Sequence, residues 1–234
     1  MNKFVINNTT LDLHIKEGVF VPTATTTNLI NSVKSFVDHP GNLLDLGSGS
    51  GVVAIALSLD GIAKSPVYAS DISEDSVKCI LDNCDKYNVS VEAKSGSLLE
   101  PWLEMKFDYI VDDISGISEE VAKLSPWFDG VSCASGVDGA YLTTKVLENA
   151  NQHLNEGGLL FFPIISFSNE EKILNKANKE FKNVKFLHRE EWPLPKDMYQ
   201  NLDILKKLKE DKHIQYKEQF GMVICYTDIY VAFN

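Results

Sequence analysis

A chain of 234 residues with 44% apolar content has room for one α/β domain with small additions, or at most two small domains. Its 22 Lys+Arg against 33 Asp+Glu leave a formal net charge of -11, which repels a phosphate backbone and argues against nucleic acid as the main partner; proteins or small molecules are the expected substrates. The start, MNKFVINNTT, has no apolar stretch behind its lysine, and no run approaches the roughly 18 apolar residues of a membrane helix, so a soluble, cytoplasmic protein without membrane contact is expected.

Residues 3 to 22, KFVINNTTLDLHIKEGVFVP, alternate apolar and polar around Asn7-Asn8, which predicts a two-stranded β arm over residues 1–24 outside the central sheet. From Thr25 the period turns helical, with Leu29, Ile30, Val33, Phe36 and Val37 on one face and Thr25 to Thr27 offering a cap. His39-Pro40-Gly41 stops that helix. The next stretch, NLLDLGSGSGVVAIAL from Asn42 to Leu57, reads as a buried strand, a tight glycine turn and the start of a helix. Gly47, Gly49 and Gly51 permit positive φ there and let a ligand lie against the backbone, with the free N–H groups of the first helical turn facing it. A dinucleotide site would place its last glycine at Val52; the chain instead has D-x-G-x-G-x-G from Asp45 to Gly51.

After a helix over about 51–59, Asp60-Gly61 leads to a strand at 66–71 ending on Asp71, twenty positions after Gly51. Ser73 caps a helix with a core stripe of Val77, Ile80, Leu81, Cys84 and Tyr87. A strand near Val89 to Ala93, the turn SGSLLEPW and the strand FDYIVDD from Phe107 to Asp113 follow. Helical spacing returns from Tyr141 to Leu154, and Glu156-Gly157-Gly158 ends it and launches LLFFPII, a strand buried on both faces. Then come a helix about 168–181, a strand 183–188, the segment WPLPKDM, a lysine-rich helix about 199–213 and a last strand within 222–233. Strand alternating with helix implies a parallel sheet covered on both faces. Cys79, Cys84, Cys133 and Cys225 form no C-x-x-C pair and read as small core residues in a reducing compartment, with no metal site.

DLGSGSG with Asp71 at that offset resembles motif I and the ribose acid of the class I S-adenosylmethionine (SAM)-dependent methyltransferases. Over about residues 17 to 166 the chain resembles the HemK/PrmC-type enzymes, which methylate release-factor glutamine. EGVFVPTATTTNLI, LLDLGSGSG, GSLLEPW, KFDYIVDDISGI and GVDGAYLTTKVLENANQHLNEGGLLFF carry the likeness in order. The resemblance implies a Rossmann-like, seven-stranded, mostly parallel sheet, forming a SAM-binding domain over 25–234. It also implies an antiparallel hairpin of the last two strands with a helical insertion between them, and within it residues 190–220 are a candidate substrate lid. Trp192, Pro193, Pro195, Met198 and Tyr199 would give that lid an apolar inner face, the alternative being a hairpin packed on itself.

By the same resemblance the cofactor contacts are Asp45, Gly47, Ser48, Gly49, Gly51, Asp71, Ile72, Ser97, Leu98 and Asp112. Asp45 is expected near the methionine amino group, or as a turn-capping carboxylate, and Asp71 on both ribose hydroxyls. Asp112 is alternatively solvated or a helix cap, and Phe20 and Pro22 fall at the entrance or in the core. Where the family carries Asn-Pro-Pro-Tyr, this chain has Asp113-Ile114-Ser115-Gly116, so the rigid turn and the stacking tyrosine are gone. Asp113 is therefore the expected catalytic, substrate-facing acceptor for a reaction other than glutamine methylation. The expected function is methyl transfer from SAM, releasing S-adenosylhomocysteine (SAH), to a nitrogen or oxygen of a small molecule or protein side chain. A SAM-binding protein without transferase activity and a nucleic-acid methyltransferase are the alternatives. The latter draws on Lys206, Lys207, Lys209, Lys212 and Lys217, whose interleaved acids favour a solvated helix face.

Overall fold

In the computed structural model, which describes residues 2–6 and 9–234, the apolar runs LLDL, FDYIVD and LLFFPII are neighbouring strands at the centre of one sheet. An antiparallel arm, β1 (Asn2–Ile6) and β2 (Thr9–Leu13), stands apart from that sheet; its expected turn at Asn7-Asn8 lies outside the described residues. The chain then runs through α1 (Ala24–Phe36), β3 (Leu43–Leu46), α2 (Val52–Leu59), β4 (Val67–Asp71), α3 (Glu74–Lys86), β5 (Val91–Ser95) and β6 (Phe107–Asp112). It continues with α4 (Glu119–Leu124), α5 (Tyr141–Asn149), β7 (Leu154–Ile165), α6 (Glu170–Glu180), β8 (Asn183–Pro193), α7 (Leu202–Glu210), β9 (Lys217–Gln219) and β10 (Met222–Phe233). The strand order is β5-β4-β3-β6-β7-β10-β8, parallel from β5 to β7, with β10 antiparallel to both β7 and β8.

The sheet thus has the expected Rossmann-like form and antiparallel last strand, with one correction: it counts eight strands, not seven, because β9 pairs with the start of β10 inside the insertion. The order reverses between β3 and β6, the switch point where ligands of open α/β sheets bind beyond the strand ends.

Helix α2 is buried almost all round, from Val52 to Leu57. That composition fits a helix enclosed on every side. The arm supplies one cover: Phe4, Ile6, Leu11 and Leu13 join α1, α2 and the sheet in a single core. Asn83 of α3 fixes the arm's exit by accepting from the His14 N–H and donating to the His14 carbonyl, both at 2.8 Å. The same amide donates to the Ser50 carbonyl at 2.9 Å, so one buried side chain ties arm, helix and glycine turn together.

Several boundaries differ from the sequence reading for identifiable reasons. Strand β7 begins at Leu154, before Glu156-Gly157-Gly158: Phe107 pairs with Leu154 but Tyr109 with Leu159, so residues 155–158 loop out of register with Gly157 at φ 74°. Strand β8 runs on through Trp192 and Pro193, paired with Cys225 and Ile224, because it is an edge strand where proline costs no ladder bond on its open side. Helix α4 and the 3₁₀ turn Pro126–Phe128 fall in a stretch whose sequence carries no clear period.

Candidate functional site

Strand ends β3 and β6 meet where the Asp113 N–H donates to the Leu46 carbonyl at 2.9 Å. Beyond them opens a cavity of about 660 Å³, within the about 300–1,000 Å³ usual for small-ligand sites. Its floor is the glycine turn. The N–H groups of Gly47 and Ser48 both donate to the Ser70 carbonyl of β4, at 2.9 and 3.0 Å, and so hang the turn from the neighbouring strand.

The three glycines have separate jobs. A Cβ on Gly47 would stand 2.6 Å from Ile114 Cγ2, so this glycine lets the β3 and β6 loops touch. A Cβ on Gly51 would lie 3.2 Å from Ile80 Cα, making it a helix-packing position, and Gly51 does not line the cavity. Gly49, at φ 53°, is the open one: its nearest neighbour would be the Phe20 carbonyl at 3.8 Å. A ligand can approach the backbone there.

Asp71 stands beside that opening. Its Oδ2 accepts from the Gly49 N–H and its Oδ1 from the Ser73 N–H, both at 2.9 Å, and each oxygen keeps a further acceptor site. Ile72, 75% exposed, Ser97 and Leu98 also line the cavity, Leu98 with a positive φ of 49°. The donor set fits an adenosyl ligand: a bare glycine backbone, a two-oxygen acceptor at the β4 end and apolar side chains next to it.

Asp45 and Asp112 lie behind the cavity rather than on it. Asp45 is 0% exposed, and its Oδ2 accepts from the Ser48 hydroxyl at 2.5 Å and the Ala54 N–H at 3.0 Å. It caps the turn, and it takes one N–H of the first turn of α2, which is therefore not free to face a ligand. Asp112, 1% exposed, accepts from the Ile114 N–H at 3.2 Å and is not solvated. Burial pushes both carboxyls up to about 7.

Asp113 does line the cavity. Its Oδ2 accepts from the Thr26 hydroxyl at 2.8 Å, so Thr26 holds this carboxylate instead of capping α1, whose first residue is preceded by Thr23. Burial pushes Asp113 up to about 8, opposed by the Thr26 bond and reinforced by the charges of Asp45 and Asp112. The turn that follows lacks prolines but is held by cross-links: the Ser135 hydroxyl donates to the Ser115 carbonyl, and the Cys133 thiol lies 3.6 Å from the Ile117 carbonyl.

Walls of aromatic and proline side chains close the cavity. Phe20 and Pro22 line it, as do Trp192, Pro193 and Pro195 from the expected lid. Met198 and Tyr199 do not. They pack with Leu205, Ile214, Tyr216 and Val223 in a core that the insertion shares with Ile117, Val121 and Phe167, so only its entry segment faces the site. Trp127 and Phe128 complete the wall; no sequence signal marked them, because their approach to Trp192 and Phe20 is made by tertiary packing alone. Two of the insertion's lysines are engaged elsewhere, Lys209 with the Tyr216 carbonyl at 2.8 Å and Lys217 with Glu191 at 2.7 Å.

The family profile described as "Methyltransferase small domain" matches residues 11–113. The release factor glutamine methyltransferase of Clostridium acetobutylicum is 29% identical over 169 residues, covering 66% of this chain and 58% of that protein. The ribosomal protein L11 methyltransferase of Staphylococcus saprophyticus is 28% identical over 153 residues, covering 62% and 45%. The chain thus spans about half the length of such relatives. Among solved structures, a T. thermophilus 16S rRNA methyltransferase in complex with AdoMet and guanosine superposes with a TM-score of 0.65 at 16% identity, over 100% of this chain and 50% of that one. Among the described residues no helix is long and apolar enough to cross a membrane. The profile, the relatives and the shared sheet agree with the site's architecture: the chain has the class I methyltransferase fold, and its sequence is similar to the HemK-type SAM-dependent methyltransferases.

Proposed function

We propose that this protein transfers the methyl group of SAM to a nitrogen or oxygen of a small molecule or protein side chain, with Asp113 as the acceptor of the nucleophile's proton or hydrogen bond. The observation that carries the reading is that Gly49, Asp71 and Asp113 line one cavity at the sheet's switch point. Bound SAM supplies a methyl group already activated on a sulfonium, which is released as SAH. The chain's own residues need only position, exclude water and handle a proton. Asp71 would receive the ribose hydroxyls, the Gly49 backbone would hold the ligand from below, and Ser97 and Leu98 would hold the adenine. Asp113, already steadied by Thr26, orients the nucleophile.

Release-factor glutamine and ribosomal protein are what the relatives' names record for those proteins. The altered tetrapeptide here supports a different acceptor. An RNA acceptor has the solved neighbour in its favour, but it meets a net charge of -11 and a cavity without a cationic residue among the described residues that line it.

Calorimetry with SAM and SAH tests the cofactor reading, and binding of both is expected. Absence of binding by either ends it. A labelled-methyl assay on cell extract, separated into protein, nucleic-acid and small-molecule fractions, then tests transfer. Label confined to small molecules or protein is the expected result, and label in nucleic acid overturns the acceptor class.

A further inference from the structure

The walls of the cavity are lined very differently from its glycine floor. Four aromatic side chains reach the cavity: Phe20, Phe128, Trp127 and Trp192. Phe20 and Phe128 sit with ring centroids 5.2 Å apart, and Trp127 meets Trp192 edge to face at 5.6 Å and 89°. Trp192 is fixed in place, since its Nε1–H donates to Thr227 at 3.2 Å and its ring packs perpendicular to Phe167. These rings are therefore held ready for a ligand and need no ordering when one arrives.

The charges of the cavity are as one-sided as its walls. Among the described residues that line it, the charged side chains are Asp71 and Asp113, and no Lys, Arg or His is present. With Asp71 assigned to the cofactor under the function proposed above, Asp113 is the titratable group left for the acceptor. With Thr26 on Oδ2, no donor among the described residues is bonded to Oδ1.

On the function proposed above, we infer that the methyl acceptor is a small aliphatic amine carrying an aromatic or heteroaromatic ring and no anionic group, its ring between Trp127, Trp192 and Phe128 and its nitrogen on Asp113. An anionic acceptor would lose its hydration with no cation to receive it and would further oppose ionisation of Asp113, which burial already disfavours. An amine reverses both terms, because an ammonium favours the ionised form of Asp113 and is attracted by aromatic faces. The flat ring buries its area against the walls. An ammonium passes one proton to Asp113, which frees the nitrogen's lone pair; the high proton affinity that burial gives Asp113 suits it to that transfer.

The test uses the protein loaded with SAH, which cannot react, and measures binding by calorimetry. The probes are two isosteric pairs, phenethylamine with 3-phenylpropanoate and tryptamine with indole-3-propanoate, together with N-acetylglutamine methylamide as the glutamine mimic. Both amines are expected to bind at least about tenfold more tightly than their acids and than the glutamine mimic, the scale of a desolvated cation–aromatic contact. Trp192→Leu should weaken amine binding while Trp192→Phe keeps it, with unchanged SAH affinity in each as the sign that the fold is intact. Acids binding as well as amines, preference for the glutamine mimic, or indifference to Trp192→Leu overturns the inference while leaving SAM-dependent transfer standing. Failure of SAH to bind overturns the proposed function itself, and this inference with it.

Discussion

Thr26 Oγ1 stands 2.8 Å from Asp113 Oδ2, joining the first turn of α1 to the end of β6 in the wall of the cavity. The bond favours the ionised carboxylate against a burial that pushes Asp113 up to about 8. Thr26→Val removes the hydroxyl at nearly constant shape. It should raise Asp113 further and move the acid limb of the kcat/KM profile upward by about one pH unit, the equivalent of 1.36 kcal/mol. Stability should fall by only about 1 kcal/mol. A pH profile identical to the parent's would mean that Thr26 does not govern this carboxylate.

Asp113→Asn isolates the proton-accepting role, because the amide oxygen still receives the Thr26 hydroxyl while the base is gone. SAH affinity should be nearly unchanged, and transfer to the true acceptor should fall by about 10²-fold or more, as for a lost acid–base group. No release-factor glutamine should be methylated by either form. Full activity of the variant, or robust glutamine methylation by the parent, would contradict the role given to Asp113.

Gly47 and Gly49 look alike in sequence and should fail differently. Gly47→Ala places a Cβ 2.6 Å from Ile114 at φ 74°, so it should destabilise the fold by about 1–3 kcal/mol and displace the Asp113 loop. Gly49→Ala meets nothing closer than 3.8 Å, and its stability cost should stay near the left-handed penalty of about 1–2 kcal/mol, while its Cβ stands where the ligand approaches. Denaturant melts paired with SAH calorimetry separate the two. Equal loss of affinity at equal stability would show that the turn works as one unit.

The parts of the site that could be read in the sequence are those whose spacing is local. The glycine turn and Asp71 lie at the ends of adjacent parallel strands, so a fixed offset brings them together. Asp45 misled because β3 is buried on both faces, and period-two alternation then cannot say which way a side chain points. Thr26, Trp127 and Phe128 were illegible for the opposite reason. Thr26 looks like a helix cap, and the tryptophan and phenylalanine lie in an aperiodic stretch between α4 and α5; each reaches the cavity through partners far away in the chain. Met198 and Tyr199 share the apolar character of the lid's entry, but they fill the core between the insertion and the α4 region, a contact that no local spacing announces.

The last expectation concerns pH and stability. Asp45 and Asp112 are pushed up to about 7 and Asp113 to about 8, from an ordinary value of 3.8, in each case chiefly by burial. Between those limits the folded chain holds protons that the unfolded chain has released, so stability must fall as pH rises through this window and level off above about 8. The melting temperature should therefore be higher at about pH 5 than at about pH 8.5, the reverse of a protein whose carboxylates are paired. The net charge of -11 adds repulsion in the same direction, so a variant is needed to assign the cause. Asp112→Asn supplies it: the amide oxygen still accepts from the Ile114 N–H, the group no longer titrates, and only one unit of charge leaves the surface balance. Its melting temperature should depend visibly less on pH than the parent's, with the gain over the parent confined to the alkaline side. A parent whose stability climbs between about pH 5 and 8.5, or an Asp112→Asn curve parallel to the parent's, would show that these buried acids do not set the pH response.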